Sequence, residues 1–454
     1  MLTDLTQAWH TLTWSNVPAA AQRVAGQCLL DWVGCAIAGA GERAVSILAA
    51  TLGSSIGSSS LTTGGTGHPR DAALINGTAG HALDFDDTST AMLGHPSAPV
   101  LPAVLALAEH LDTTGEQLLT AFITGVEIES RLGTAIGPDH YARGWHSTAT
   151  IGVMGAAAAC ARLLDLDTER FATALGLAAS QSAGLKANFG TMTKPFHAGS
   201  AAERGLLSAL LAEAGFTANP DAFTAQQGLV VAAGGGSLVP LRLGDNDFAI
   251  IDTLFKYHAS CYLTHATLHA IESLGAPRLP GGADSVVITV NPALLDTCGI
   301  PEPSTGLEAK FSLRGAAALA LLGHDTADPA TFTDSVVQNA EIQKQLRRIK
   351  IRTDATAPQS WARVAVDDLP PAEADTSTPQ SNLDRQERRL GDKFARLVDG
   401  RIAEDANAAK HRLLNAAAIG SARNLLPTYI TQRQRPTNEQ TTTNRRFEDH
   451  GHRG

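Results

Sequence analysis

Four segments of this chain carry residues able to move protons or grip carboxylates. The first runs from Asn188 to Ser200, NFGTMTKPFHAGS, and sets Lys194 between a threonine and Pro195. The residue before a proline is biased away from the α region, and Ala198, Gly199, Ser200, Ala201 and Ala202 are small enough for a following helix to pack closely. The spacing therefore predicts a lysine presented at a helix break rather than buried. An ordinary surface lysine shares that local pattern, so the other three segments decide its reading. They are His81-Ala-Leu-Asp-Phe-Asp-Asp-Thr88 with Gly94-His95-Pro96 behind it, His140-Tyr-Ala-Arg-Gly-Trp-His146, and Phe255-Lys-Tyr-His-Ala-Ser-Cys261.

Removing a proton from carbon next to a carboxylate is difficult. It becomes feasible when fixed donors meet the developing oxyanion in a site that excludes water. Lys194, Lys256, His95 and His146 are suitable types, since lysines neutralise carboxylates and histidines exchange protons near neutral pH. Asp84, Asp86 and Asp87 invite a hard cation, but neighbouring aspartates more often cap helices or pair with basic groups, and no metal is expected. His81, His197, His258 and His265 lie beside the motifs and read as buried, hydrogen-bonded histidines. Cys261 reads as a small core filler rather than a nucleophile.

In this order and at these separations the four segments resemble the MmgE/PrpD family, from about Leu30 to about Phe394. That family includes 2-methylcitrate dehydratases, cis-aconitate decarboxylases and an iminodisuccinate epimerase. The resemblance implies an active site containing Asp84 and Thr88 of the DFDDT segment, His95 of the HP pair, His146 of GWH, Lys194 and Lys256. Tyr141 matches a tyrosine of the epimerase branch. It further implies that His146, Lys194, Tyr141 and Asp84 serve catalysis while Thr88, His95 and Lys256 bind substrate, and that the chain pairs as a homodimer. One position departs from the pattern: relatives carry a tyrosine where Phe311-Ser-Leu-Arg-Gly315 ends in glycine, leaving Arg314 to supply a charge to the substrate. His258 likewise stands where relatives commonly have proline.

The expected activity is that of a lyase without cofactor acting on a small di- or tricarboxylate, most simply a hydro-lyase of the 2-methylcitrate dehydratase type. An epimerase of the iminodisuccinate type and a cis-aconitate-type decarboxylase are the alternatives within enzymes. A catalytically silent carboxylate-binding homologue is the alternative outside them, and the joint presence of Asp84, His95, His146, Lys194 and Lys256 argues against it.

The formal charge of −10 argues against nucleic acid or an anionic membrane as partner. The five cysteines are odd in number and lack metal-ligand spacing, so reduced thiols in cytoplasm are expected. Asp4 and His10 interrupt any leader-like opening, and the apolar run from Ile151 to Ala161 is far shorter than the roughly 20 residues of a membrane helix.

A length of 454 residues exceeds what one hydrophobic core usually supports. With 44% hydrophobic but only 5% aromatic residues, the interior must be built from Ala, Leu, Val and Ile, which suits close-packed helices. Apolar periodicity predicts helices over 20–38, 99–110, 115–133, 148–164, 168–183 and 198–215. After Pro277 the texture changes, and Ser285–Val290, Arg348–Thr353 and Trp361–Val366 read as strands between helical stretches 309–322 and 329–346. The expected fold is mainly α: a helical domain over 1–265 completed by 385–430, an α+β lid over 266–384 that includes a linker at 369–384, and a disordered tail over 431–454. Gly234-Gly-Gly236 lacks the strand-loop-helix context of a phosphate loop.

Overall fold

The computed structural model describes residues 2–233, 248–275 and 283–427. Gly234-Gly-Gly236, the start of the stretch after Pro277 and the tail from 431 lie outside these residues.

The chain is mainly helical, as its composition requires. The predicted helices are present as Ala19–Gly39, Ser97–Leu111, Gly115–Ile136, Gly152–Leu163, Thr168–Ala179 and Thr193–Glu213. Their starts follow local chemistry. Thr114 and Gln117 form a reciprocal capping box, and Asp167 accepts from the Arg170 amide at 2.9 Å. The predicted helix over 148–164 is interrupted at Ile151, leaving a short piece, Ser147–Thr150, with His146 at its N-terminus.

One helix begins earlier than its sequence suggests. Thr193–Glu213 takes in Lys194 and Pro195, so the expected break lies before Thr193. Proline is tolerated there because first-turn amides have no intrahelical acceptor to lose. This helix packs on Pro69–Ala82, which sequence periodicity had not singled out. The two approach so closely that a Cβ on Gly77 would lie 2.7 Å from Gly199 Cα. Glycine at both positions is what brings Lys194 over the end of the neighbouring helix.

A first hydrophobic core joins these helices, and the returning helix Leu383–Val398 completes it through Leu390, Phe394 and Val398. A second core surrounds a four-stranded sheet ordered Ile349–Thr353, Val286–Val290, Trp361–Val366, Ala372–Asp375. Val286 pairs in parallel with Ile349 and antiparallel with Val366. The fourth strand corrects the linker expected over 369–384: Ala372–Asp375 pairs antiparallel with Trp361–Val366. Its sequence, AEAD, has no β-branched residue, so pairing rather than propensity makes it a strand. Leu83 and Phe85 belong to the second core although their segment follows a first-core helix, so the DFDD loop lies where the two cores meet. Among the described residues no single helix is long and apolar enough to cross a membrane.

Candidate active site

The helix Pro69–Ala82 ends just before Asp84, whose φ of 51° places a non-glycine residue in the left-handed region. Such a conformation costs about 1–3 kcal/mol and persists only where surroundings over-determine it. Here the surroundings are three buried lysines from three distant parts of the chain. Lys310 donates to the Leu83 carbonyl, Lys256 to that of Asp84 at 2.9 Å, and Lys393 to that of Phe85 at 2.6 Å. Lys393 also pairs with the buried Asp31 at 2.6 Å.

The Asp84 side chain is pinned as well. Lys194 Nζ is 2.6 Å from one carboxylate oxygen and Lys256 Nζ is 3.2 Å from the other. Burial alone would favour the neutral acid, but the ammonium groups of Lys194 and Lys256 hold the carboxyl well below the usual range. Lys194 also reaches His81 Nε2 at 2.7 Å, and the opposite nitrogen of His81 faces Asp86 at 2.9 Å. Asp86 in turn is 3.2 Å from His95 Nδ1. Asp87 points elsewhere, accepting from the Ser97 hydroxyl and amide at the start of the next helix. The three aspartates thus pair with different partners, although His81, Asp86 and His95 together have donor atoms close enough to share a cation.

These groups border a small cavity of about 130 Å³, lined by Asp84, Thr88, His95, Tyr141, His146 and Lys194 together with Phe189, Phe311, Tyr262 and Gln359. The space is well below the roughly 300 Å³ at which pockets for larger ligands begin, so it suits a compact molecule. Phe189 and Phe311 flank Lys194, with Nζ 5.3 and 5.4 Å from the ring centres. Leu93, also on the wall, has φ 50°.

The imidazoles are buried, which favours their neutral form. Burial lowers His146 well below its ordinary value, with Lys194 and His81 adding to the effect, and burial takes His81 down to about 3. His146 Nδ1 lies 3.1 Å from His197 Nδ1, so one ring must donate and the other accept. Tyr141 lies under Lys186, whose Nζ is 3.7 Å from the ring centre and 3.2 Å from its carbonyl. Burial, reinforced by nearby Cys261, pushes the phenol above its ordinary range and keeps its proton in place. The cavity therefore presents a neutral imidazole, a protonated phenol and a lysine paired to a carboxylate.

Several expectations are revised. Lys194 is buried at 4% exposure, not presented to solvent, because Asp84 compensates its charge. Lys256 is fully buried behind Asp84 rather than on the cavity wall. Arg314 is half-buried and is not among the lining residues; its segment contributes Phe311 instead. Gly315 sits in a first helical turn where a Cβ would be 3.0 Å from Pro303 Cγ, so a larger side chain would require the neighbouring proline to shift. Sequence reading passed over His81, Asp86 and His197 as participants. The available signal was the placement of His81 three residues before Asp84 at a helix end, and of His197 three after Lys194 on one helical face.

Two family models together cover most of the chain. Residues 3–240 match the MmgE/PrpD N-terminal domain and residues 258–417 the MmgE/PrpD C-terminal domain. The chain is 29% identical over 307 residues to the cis-aconitate decarboxylase of Mus musculus, covering 64% of this chain and 62% of that protein. It is 38% identical over 165 residues to the Homo sapiens cis-aconitate decarboxylase, covering 35% and 34%. With the Aspergillus terreus cis-aconitate decarboxylase it shares 34% identity over 222 residues, 45% of each chain. The matched stretches thus span less than two thirds of these relatives.

Proposed function

The chain belongs to the MmgE/PrpD family, and from that premise we propose that it is a lyase acting on a small polycarboxylate, with decarboxylation of a cis-aconitate-like tricarboxylate as the leading reaction. The observation that carries the reading is the Asp84–Lys194 pair at 2.6 Å, set beside neutral His146 in a small cavity. The relatives named above supply the preference for decarboxylation over dehydration.

In that reaction the bond between the methylene carbon and its carboxylate breaks and carbon dioxide leaves. The electron pair forms a new double bond, and the pair of the old one takes a proton at the far carbon. Two tasks fall to the protein: holding the remaining carboxylates and delivering that proton away from bulk water. Thr88 and His95 are assigned to carboxylate binding. His146, Lys194 and Tyr141 are assigned to proton delivery, with Asp84 orienting Lys194 and Lys256 acting through Asp84 as a positioning residue. Gln359 and Phe311, not Arg314, are the groups assigned to contact substrate from the sheet-bearing side.

One observation favours a second reading. Loss of water needs a base and an acid together, and the cavity offers neutral His146 and protonated Tyr141. A hydro-lyase of the 2-methylcitrate dehydratase type would use the same pocket.

Proton NMR in heavy water, run on cis-aconitate, 2-methylcitrate and an iminodisuccinate-type acid, separates these. Release of carbon dioxide from cis-aconitate with one deuterium at carbon is the expected result. Water loss from 2-methylcitrate alone moves the assignment to the hydro-lyase, and turnover of none by folded protein overturns both. No metal is assigned to the reaction, because a cation on His81, Asp86 and His95 would face Lys194, 2.7 Å from His81 Nε2. A chelator arm of the same assay is expected to leave turnover intact; loss of turnover restored by one divalent ion would reverse that assignment.

A further inference from the structure

We propose that His258, His265 and His269, with Glu272 beside them, form a binding site for one divalent transition-metal ion of the zinc type, separate from the catalytic cavity. His265, His269 and Glu272 lie at i, i+4 and i+7 on the helix His265–Ser273, hence on one face. His258 approaches that face from the segment that carries Lys256. Ligand-capable atoms of the three histidines all lie within 4.8 Å of one another, and the His258 ring centre is 5.0 Å from that of His265 and 5.2 Å from that of His269.

The hydrogen bonding points inward. His258 uses Nδ1 on the Thr326 hydroxyl at 2.8 Å, while its buried Nε2 has no hydrogen-bond partner. Metal-bound histidines characteristically fix one ring nitrogen on an outer partner and turn the other to the ion. His265 likewise has an outer partner for one ring nitrogen, with Nε2 at 3.4 Å from the Ser260 carbonyl.

Zinc–nitrogen bonds of about 2.0–2.1 Å in a tetrahedron place nitrogens about 3.4 Å apart, so the cluster must contract by about an ångström. His269 is only partly buried and has the freedom to turn. Glu272 Oε1, 3.7 Å from His258 Nε2, offers a fourth ligand and a countercharge. Arg389 opposes positive charge on His258 and His269, and Asp325 near Glu272 offsets it. Three soft-to-borderline nitrogens with one carboxylate select zinc, cobalt, nickel or copper over magnesium or calcium.

Such an ion would clamp the Lys256 segment to the helix after it, stabilising the folded chain by mass action. The test uses tag-free, metal-stripped protein titrated with cobalt(II) and, separately, zinc(II). Expected are one equivalent of cobalt per chain with a nitrogen-ligated d–d spectrum, a zinc-dependent rise in melting temperature, and at least about a tenfold weaker affinity in His269→Gln and in His258→Gln. His269 is partly exposed, so its variant keeps the test open should His258→Gln fail to fold. Absence of stoichiometric binding at micromolar metal, or binding unchanged by His269→Gln, would overturn the site.

Discussion

Lys256 Nζ holds Asp84 twice, donating to its carbonyl at 2.9 Å and pairing with its carboxylate at 3.2 Å. One lysine thus stabilises both the left-handed backbone of Asp84 and its buried charge. Removing one partner of a buried pair costs about 3–5 kcal/mol when the other is left without a countercharge, but Asp84 keeps Lys194, which sets a range of about 1–3 kcal/mol here. Lys256→Met, which keeps most of the aliphatic stem, is expected to lose stability in that range and to lower kcat/KM with it. Chemical denaturation measures the first and steady-state kinetics the second; a variant within about 0.5 kcal/mol of the parent would show that Lys310 and Lys393 suffice to hold the loop.

Lys194→Ala differs in kind. Its Nζ lines the cavity, so turnover is expected to fall by at least about 100-fold, the usual scale for a proton-transfer group. A presented lysine would have been removable without loss of stability, but this one is paired with Asp84 at 2.6 Å, and a stability loss must accompany the kinetic one. Lys194→Arg should restore part of the stability and little of the turnover, because a guanidinium keeps the charge but does not give up a proton. Near-parental turnover in either variant would remove Lys194 from the mechanism.

Much of the fold was legible because helix boundaries rest on local chemistry: Thr114 with Gln117 and Asp167 with Arg170 act within one turn. The strand Trp361–Val366 was equally readable from its alternation. Lys194 was misjudged because the conformational bias before Pro195 is a local rule, whereas its burial depends on Asp84, 110 residues away in sequence. The lysines on Leu83, Asp84 and Phe85 were illegible for the same reason, since Lys310 and Lys393 stand in unremarkable helical context. The motifs could place Asp84, His95, His146 and Lys194 in one site. They could not show that Lys256 lies behind that site or that Phe311 replaces Arg314 on its wall.

His140 supplies a pH test away from the cavity. Its Nε2 meets the Thr150 hydroxyl at 2.7 Å, and burial lowers its pKa to about 4 from an ordinary 6.5. Between those values the unfolded chain binds a proton that the folded chain does not. Its contribution to stability is therefore present above about pH 6.5 and is lost as pH falls towards 4. Asp31 and Asp87, raised by burial to about 6 and about 7, act in the opposite sense, since their stabilisation is lost as pH rises. Comparing the parent with His140→Gln cancels them. The stability advantage of the parent should shrink steadily from pH 7 to pH 4.5 in thermal melts, and parallel curves would contradict a neutral buried His140.

The cavity wall is shared between the two cores, and this bears on how substrate enters. His146 and Lys194 come from the helical side and Asp84 from the loop where the cores meet, whereas Phe311 stands between the second-core residues Ala309 and Leu313 and Gln359 just precedes the strand Trp361–Val366. In the proposed reaction a carbanion-like intermediate must be kept from water, yet the substrate must pass in and its product out. The second core is therefore expected to act as a lid that draws Gln359 and Phe311 towards Lys194 when substrate binds. Gln359 is exposed in this structure, so it has room to move onto a ligand. Hydrogen exchange with and without a bound tricarboxylate tests the motion. Protection should appear around residue 359, in the loop before strand Trp361–Val366, as well as around Asp84. Protection confined to the helical side would mean that the pocket is already closed and that entry needs no movement of the second core.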